Sequence, residues 1–189
     1  MEESNLLVKK FAEVWELLKK ESVRGTVIVA CAFIEDQLEE LVKSRLIVCE
    51  KKKDYLFDGT NAPIGSMSAK IDLAFRTGCI GAKIRESLHI LRKLRNDFAH
   101  LSSNISFETQ SVKDRTERLL ILNREFVELV WGDLRSNMYS ALGIDNPPAC
   151  SDLFTDMLKS AGYRNTFEIW ASAMAGVLAE KRTEMNRLE

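Results

Sequence analysis

The sequence predicts an all-α protein, a single helical bundle of about five to seven helices that spans residues 1–189. Apolar residues recur at spacings of three and four, which is the period of an amphipathic helix. Only three prolines occur, so long segments are free to be helical. No segment alternates cleanly between apolar and polar residues as a half-buried strand does.

The first two helices follow from an apolar stripe and a capping residue. The stripe predicts a helix over residues 5–20. Ser22 is placed to cap a second helix that runs to about residue 48. The first half of this second helix is apolar all round, so we expect it to be buried.

Residues 50–65 form the first break in the helical pattern. Asp58 and Gly59 form a turn signal, which the following Asn, Pro and Gly residues continue. The apolar residues 55–57 interrupt this polar loop, and we expect them to pack on the core rather than to form a binding surface.

Ser66 or Ser68 is placed to cap the next helix, and further capping residues, glycines and the Pro147–Pro148 pair delimit the others. The tail, residues 150–189, is predicted to be a helical C-terminal extension split near Gly162. The other helices are expected over residues 66–78, 82–99 and 111–142.

The charge balance excludes one class of function. Lys plus Arg total 27 and Asp plus Glu total 28, so the net charge is −1. A dedicated nucleic-acid binder usually has a basic excess. A globally basic surface is therefore excluded, although a local basic patch is compatible with these numbers.

Cysteine spacing and hydropathy predict a cytoplasmic protein without metal or cofactor. The four cysteines are far apart and form no CxxC pair, which argues against a zinc site and a disulfide scaffold. No run of about 18 apolar residues predicts a membrane span. No phosphate-binding glycine-rich loop and no Ser/His/Asp arrangement is found.

The stretch HILRKLRNDFAH, residues 89–100, holds both histidines and the most chemistry in the chain. On a regular helix, Arg95 is predicted to lie in the middle of an apolar stripe, where a guanidinium is costly unless it is paired. The stripe consists of Ile84, Leu88, Leu91 and Phe98. The candidate partners of Arg95 are Asp58, Asp72, Asp97 and a carboxylate on the fifth helix.

Two interpretations of this stretch stay open. In the structural one, Arg95 forms a buried ion pair and His100 caps the C-terminal end of its helix. In the functional one, Arg95 and His100 face a shared cleft and bind phosphate, which requires the helix to end near His100 or a second subunit to contribute. Asn96 and His100 are four residues apart and would share a face.

A second set of polar residues marks one flank of the same helix. Arg85, His89 and Arg92 form either a small anion-binding patch or an ordinary solvated face. Together with Asp58 of the loop, they are the candidate binding residues. No metal site is predicted, because Asp58 and Asp72 lack further ligands at a recognisable spacing.

Residues 56–78, LFDGTNAPIGSMSAKIDLAFRTG, followed by HILRKLRNDFAH, resemble the mannitol operon repressor family. The resemblance extends over about residues 25–135. It implies an all-helical fold without a helix-turn-helix, and transcriptional repression of mannitol-uptake genes. Such a protein would act through a protein partner or an unfamiliar nucleic-acid surface.

The same stretch also resembles the helical HEPN domains, whose active members cleave RNA without metal. The resemblance implies that His100 would move a proton, Arg95 would stabilise charge on the phosphate, and Asn96 would orient one of them.

Our preferred hypothesis is a cytoplasmic, homodimeric transcriptional regulator that is not an enzyme. The alternatives are the ribonuclease and a non-catalytic adaptor bundle.

Overall fold

A computed structural model describes residues 4–100, 104–144, 150 and 152–186. Within these residues the chain forms seven helices and no strand, which confirms the predicted all-α class. None of the helices in this part of the chain is long and apolar enough to cross a bilayer. The helices are α1 (Ser4–Leu18), α2 (Val23–Arg45), α3 (Met67–Arg76), α4 (Ala82–Ala99), α5 (Gln110–Leu122), α6 (Arg124–Ala141) and α7 (Leu153–Glu184).

The single long helix predicted over residues 111–142 is wrong, because α5 and α6 meet at Asn123. Its backbone leaves the helical region, with φ −117° and ψ 23°. The Asn123 amide donates hydrogen bonds to Ser87 Oγ of α4, at 2.8 Å, and to the Leu119 carbonyl oxygen, at 2.7 Å. A side chain that satisfies backbone groups in this way competes with helix continuation.

The predicted break near Gly162 is confirmed as a bend inside α7. Gly162 has φ 73°, a left-handed conformation that glycine adopts without steric cost. Beyond the bend, residues 166–179 are buried on every side, apart from the partly buried Val177. This part of α7 is therefore the central helix of the core, and α7 packs on α1, α2, α5 and α6.

A charged network fixes α7 to the turn between α1 and α2. Glu168 is 1% exposed and accepts a 2.8 Å hydrogen bond from Arg164 Nε. Arg164 Nη2 donates to the Glu21 carbonyl oxygen at 2.6 Å. A buried carboxylate of this kind is stable only while its hydrogen bonds are made.

The buried face of α4 contains three of the four predicted stripe residues, Leu88, Leu91 and Phe98, but it is turned slightly from the predicted one. Leu94 is fully buried, whereas Arg95, predicted to lie in the apolar stripe, is exposed. The helix is rotated relative to the prediction because α2, α3 and α5 all pack against it and together set the direction of burial. The buried residues of α4 are Ser87, Leu88, Leu91, Leu94 and Phe98.

Candidate functional site

The seam between α3 and α4 places the polar residues of α4 opposite two chemically different ends of α3. The helices run in opposite directions, so Asp72 of α3 lies beside Arg85, and the start of α3 at Ser66 lies beside Arg92. We refer to these as the Asp72 end and the Ser66 end of the seam. The α4 residues that face the seam are Arg85, His89, Arg92, Arg95 and Asn96.

At the Asp72 end, a carboxylate pairs with Arg85 and lies close to His89. Asp72 Oδ1 accepts hydrogen bonds from Arg85 Nε at 3.1 Å and Nη2 at 2.7 Å, and lies 3.5 Å from His89 Nε2. The Arg85 guanidinium also stacks 4.8 Å above the ring centre of Phe75. The hydrogen bond from Arg85 lowers the pKa of the Asp72 carboxyl. Arg85 and His89 are thus engaged within the protein.

At the Ser66 end, two guanidinium groups lack such a partner. They line a cleft of about 400 Å³, the α3–α4 cleft. The Nε of Arg92 is buried and has no hydrogen-bond partner in the described part of the chain. Arg95 donates a 3.1 Å hydrogen bond to the neighbouring Asn96 Oδ1, and no described carboxylate lies within ion-pair distance of it. The cleft is lined by Glu35, Gly65, Ser66, Met67, Ser68, Arg92, Arg95 and Asn96.

The N-terminal end of α3 forms the opposite wall of this cleft. Ser66 caps the helix, and its Oγ accepts a 3.2 Å hydrogen bond from the Ala69 N–H. The N–H groups of Met67 and Ser68 belong to the first helical turn, where no intrahelical acceptor exists. The partial positive charge of a helix start adds to the two guanidinium groups nearby.

Glu35, the one carboxylate of the cleft lining, is held by Lys70. The Lys70 ammonium lies 2.9 Å from Glu35 and 2.8 Å from Glu39, and its side chain is only 8% exposed. Burial alone lowers the pKa of Lys70, but the hydrogen bonds with Glu39 and Glu35 outweigh it and raise this pKa. The Glu35 charge is therefore already compensated, and the cleft keeps an excess of positive charge.

The prediction that Arg95 forms a buried ion pair is wrong. Its side chain is exposed, because the neighbouring Leu94 occupies the core position. The candidate partners are engaged elsewhere: Asp58 with the Asp54 N–H, Asp72 with Arg85, and Asp97 with Arg115.

His100 occupies the C-cap position of α4, as the structural interpretation predicts. Its carbonyl oxygen accepts a 3.5 Å hydrogen bond from Arg24 Nη2. Arg95 and Asn96 line the α3–α4 cleft, whereas His100 is not among the residues that line it. The three residues of the predicted RNA-cleaving motif are thus not assembled in one cavity of a single chain.

A second cavity, the apolar groove, lies along residues 46–58 and has a volume of about 1340 Å³. Its apolar side chains are exposed: Ile47 72%, Val48 53%, Tyr55 65% and Leu56 49%. The prediction that residues 55–57 pack on the core is therefore confirmed for Phe57, which is 6% exposed, and wrong for its two neighbours.

Only two of the four candidate binding residues line one of these two cavities. Asp58 lines the apolar groove, Arg92 lines the α3–α4 cleft, and Arg85 and His89 contact Asp72. Sequence reasoning treated Ser66 only as a helix cap and missed its place in the cleft. The available signal was the basic flank of α4, which implies a complementary surface on whichever helix packs there.

Comparison with known proteins places the fold. No family model and no curated protein matches the sequence. A solved structure, described as the X-ray structure of the MtlR–HPr complex from Escherichia coli, is similar, with a TM-score of 0.57 and 16% identity. The similarity covers 90% of this chain and 99% of the other. The chain therefore has the all-α fold of MtlR, a mannitol operon repressor, as the resemblance of residues 56–100 predicts.

Proposed function

We propose that this chain is a non-enzymatic regulator of the mannitol-repressor type, which acts by binding a partner protein. The observation that carries the proposal is the fold match to MtlR, which was solved as a complex with a second protein, HPr. Because one fold can host many functions, the proposal also needs a surface on this chain that suits a protein partner.

The apolar groove supplies such a surface. Four large apolar side chains are exposed along it, and contiguous exposed apolar surface marks interaction sites in soluble proteins. A basic run, residues 51–53, borders the apolar residues, and Lys53 Nζ lies 5.5 Å from the ring centre of Tyr55. An apolar centre with a charged rim is the usual composition of a transient interface.

Regulation through a partner also agrees with the charge of the chain. The net charge is −1, and phosphate contacts from Lys and Arg dominate the affinity of DNA-binding proteins. The sequence contains no helix pair that resembles a helix-turn-helix. We expect the purified chain to give no sequence-specific gel shift with promoter DNA unless its partner is added.

Titration calorimetry with HPr from the same organism tests the proposal. Tyr55→Asp should weaken binding at least about tenfold, because a charge replaces an apolar contact in the groove. Leu129→Asp is the matched control, since Leu129 is equally exposed at 65% but lies on α6. Absence of binding by the wild type, or equal losses in the two variants, would contradict the proposal.

Arg95 and Asn96 favour a second candidate, a metal-independent ribonuclease of the HEPN type. Both line the α3–α4 cleft and are hydrogen-bonded at 3.1 Å, as a phosphate-binding pair would be. Labelled single-stranded RNA is incubated without divalent metal, with wild type, Arg95→Ala and His100→Ala. Cleavage by wild type that both variants lose would replace the regulator by an enzyme.

A further inference from the structure

We propose that the α3–α4 cleft binds the phosphate group of a small phosphomonoester, between the guanidinium groups of Arg92 and Arg95 and the first turn of α3. This site goes beyond the proposed regulatory contact. It lies in a different cavity from the apolar groove, so each proposal can fail without the other.

The first observation that favours a phosphate is an unpaired donor on Arg92. Its Nε–H is buried without an acceptor in the described part of the chain. Buried donors are nearly always paired, because an unsatisfied one forfeits the hydrogen bonds it would make in water. A phosphate in the cleft would supply the missing acceptor once the guanidinium turns toward it, since Arg92 borders the cleft and a guanidinium can present two parallel N–H groups.

The second observation is the positive charge that Arg95 adds to the cleft beside Asn96. The guanidinium of Arg95 is exposed at the cleft, and its hydrogen bond within the described residues goes to a neutral amide oxygen, at 3.1 Å. Two guanidinium groups without a described carboxylate partner therefore line one cavity. Their combined charge matches a phosphomonoester, which carries close to two negative charges near neutral pH, better than it matches a singly charged phosphodiester.

The third observation is the set of hydrogen-bond donors at the start of α3. The helix has ten residues, and its first N–H groups have no intrahelical acceptor, so they suit an anion. The Ser66 hydroxyl accepts from the Ala69 N–H, and its own hydrogen remains free to be donated. The Ser68 hydroxyl lines the same cavity.

The size and lining of the cleft indicate the rest of the ligand. A volume of about 400 Å³ lies within the range of small-molecule sites and exceeds what a lone phosphate fills. Glu35 is held by Lys70 at 2.9 Å, so it does not neutralise the arginines, and its oxygens can accept hydrogen bonds from polar groups of the ligand.

Calorimetry on the full-length chain tests the site with inorganic phosphate, glycerol 3-phosphate and a short single-stranded RNA as probes. Both small probes should bind, with glycerol 3-phosphate the tighter, and RNA should not compete with them. Arg92→Met should weaken binding at least about tenfold, whereas Arg85→Met should not, because Arg85 is engaged by Asp72. Arg95→Met, at an exposed position, serves if Arg92→Met fails to fold.

Three results would overturn the proposal. The first is no binding of either small probe by the wild type at about 10 mM, far above the concentration that a specific site requires. The second is an equal loss in Arg92→Met and Arg85→Met, which would indicate diffuse electrostatics. The third is binding of RNA alone, which would assign the cleft to nucleic acid.

Discussion

The two ends of the α3–α4 seam contain similar cations on α4 but differ in what α3 places opposite them. At the Asp72 end, one carboxylate engages Arg85 and His89. At the Ser66 end, Arg92 and Arg95 face a helix start, whose partial positive charge does not pair with a cation, and Glu35, which Lys70 already holds.

This difference shows that the basic flank of α4 is not uniformly solvated. The engagement of the acidic residue at each end decides which arginine is available to a ligand, because Asp72 pairs with Arg85 whereas Glu35 is held by Lys70. Arg92 and Arg95 follow Arg85 by only about two and three helical turns, so composition along α4 could not distinguish them. Substitutions that change the charge at one end of the seam test this difference between the two ends.

Lys70→Met should have the largest effect. It leaves the Glu35 carboxylate without its cation in a partly buried position, and the free energy of unfolding should fall by about 2 kcal/mol. Urea denaturation measures the loss. The freed carboxylate should also turn toward the Arg92 and Arg95 side and weaken phosphate binding, which would make the Ser66 end resemble the Asp72 end.

Lys19→Met is the control for this experiment, because the Lys19–Glu16 ion pair is exposed at the C-terminal end of α1 and contributes little. If the two substitutions destabilise the protein equally, Lys70 has no special role in the seam.

Asn96→Asp should have an intermediate effect. It places a carboxylate beside Arg95, whose guanidinium lies 3.1 Å from the present amide oxygen. The new charge would neutralise Arg95 and repel an anion, so phosphate affinity should fall by about tenfold. Asn96→Ala removes the amide without adding a charge. Calorimetry compares the phosphate affinities of the two variants. Equal losses would show that the amide itself, and not the charge balance, governs binding.

Asp72→Asn should have the smallest effect, below about 1 kcal/mol in unfolding free energy, since the ion pair with Arg85 is largely exposed. The pKa of the Asp72 carboxyl is lowered in the folded protein, so its stabilisation is present above its unfolded pKa. It is lost as the pH falls through the lowered pKa.

The stability difference between wild type and Asp72→Asn should therefore be measurable near neutral pH and vanish in acid once the pH falls below the lowered pKa of this carboxyl. A difference that persists in acid would indicate that packing, rather than charge, distinguishes the two proteins.

Local signals predicted much of the fold. Ser22 and Ser66 cap their helices as expected, and α4 has the predicted bounds. The errors occurred where tertiary contacts decide. Arg95 and Leu94 are adjacent, and only the packing of α2, α3 and α5 around α4 determines which of them is buried. Asn123 breaks a helix by bonding to Ser87, a partner that the local sequence does not reveal.

The candidate site was only partly predicted, because tertiary contacts also decide which residues meet there. Arg95 and Asn96 were recognised together with His100, whereas Arg92 was assigned to a separate flank with Arg85 and His89. Ser66 and Glu35 join them only because α2 and α3 pack on α4, and no periodicity encodes that choice. The exposure of Tyr55 and Leu56 likewise contradicts the general tendency of apolar side chains to be buried.

The close contact between α1 and α7 has a consequence for the folding rate. A Cβ atom on Gly176 would lie 2.9 Å from the Leu7 carbonyl oxygen, so these helices touch at their backbones although they are far apart in sequence. Helical proteins usually fold fast because their contacts are local, and distant contacts require loop closure before any stabilisation is gained. We therefore expect this bundle to fold more slowly than its helix content suggests, with the central helix docking late.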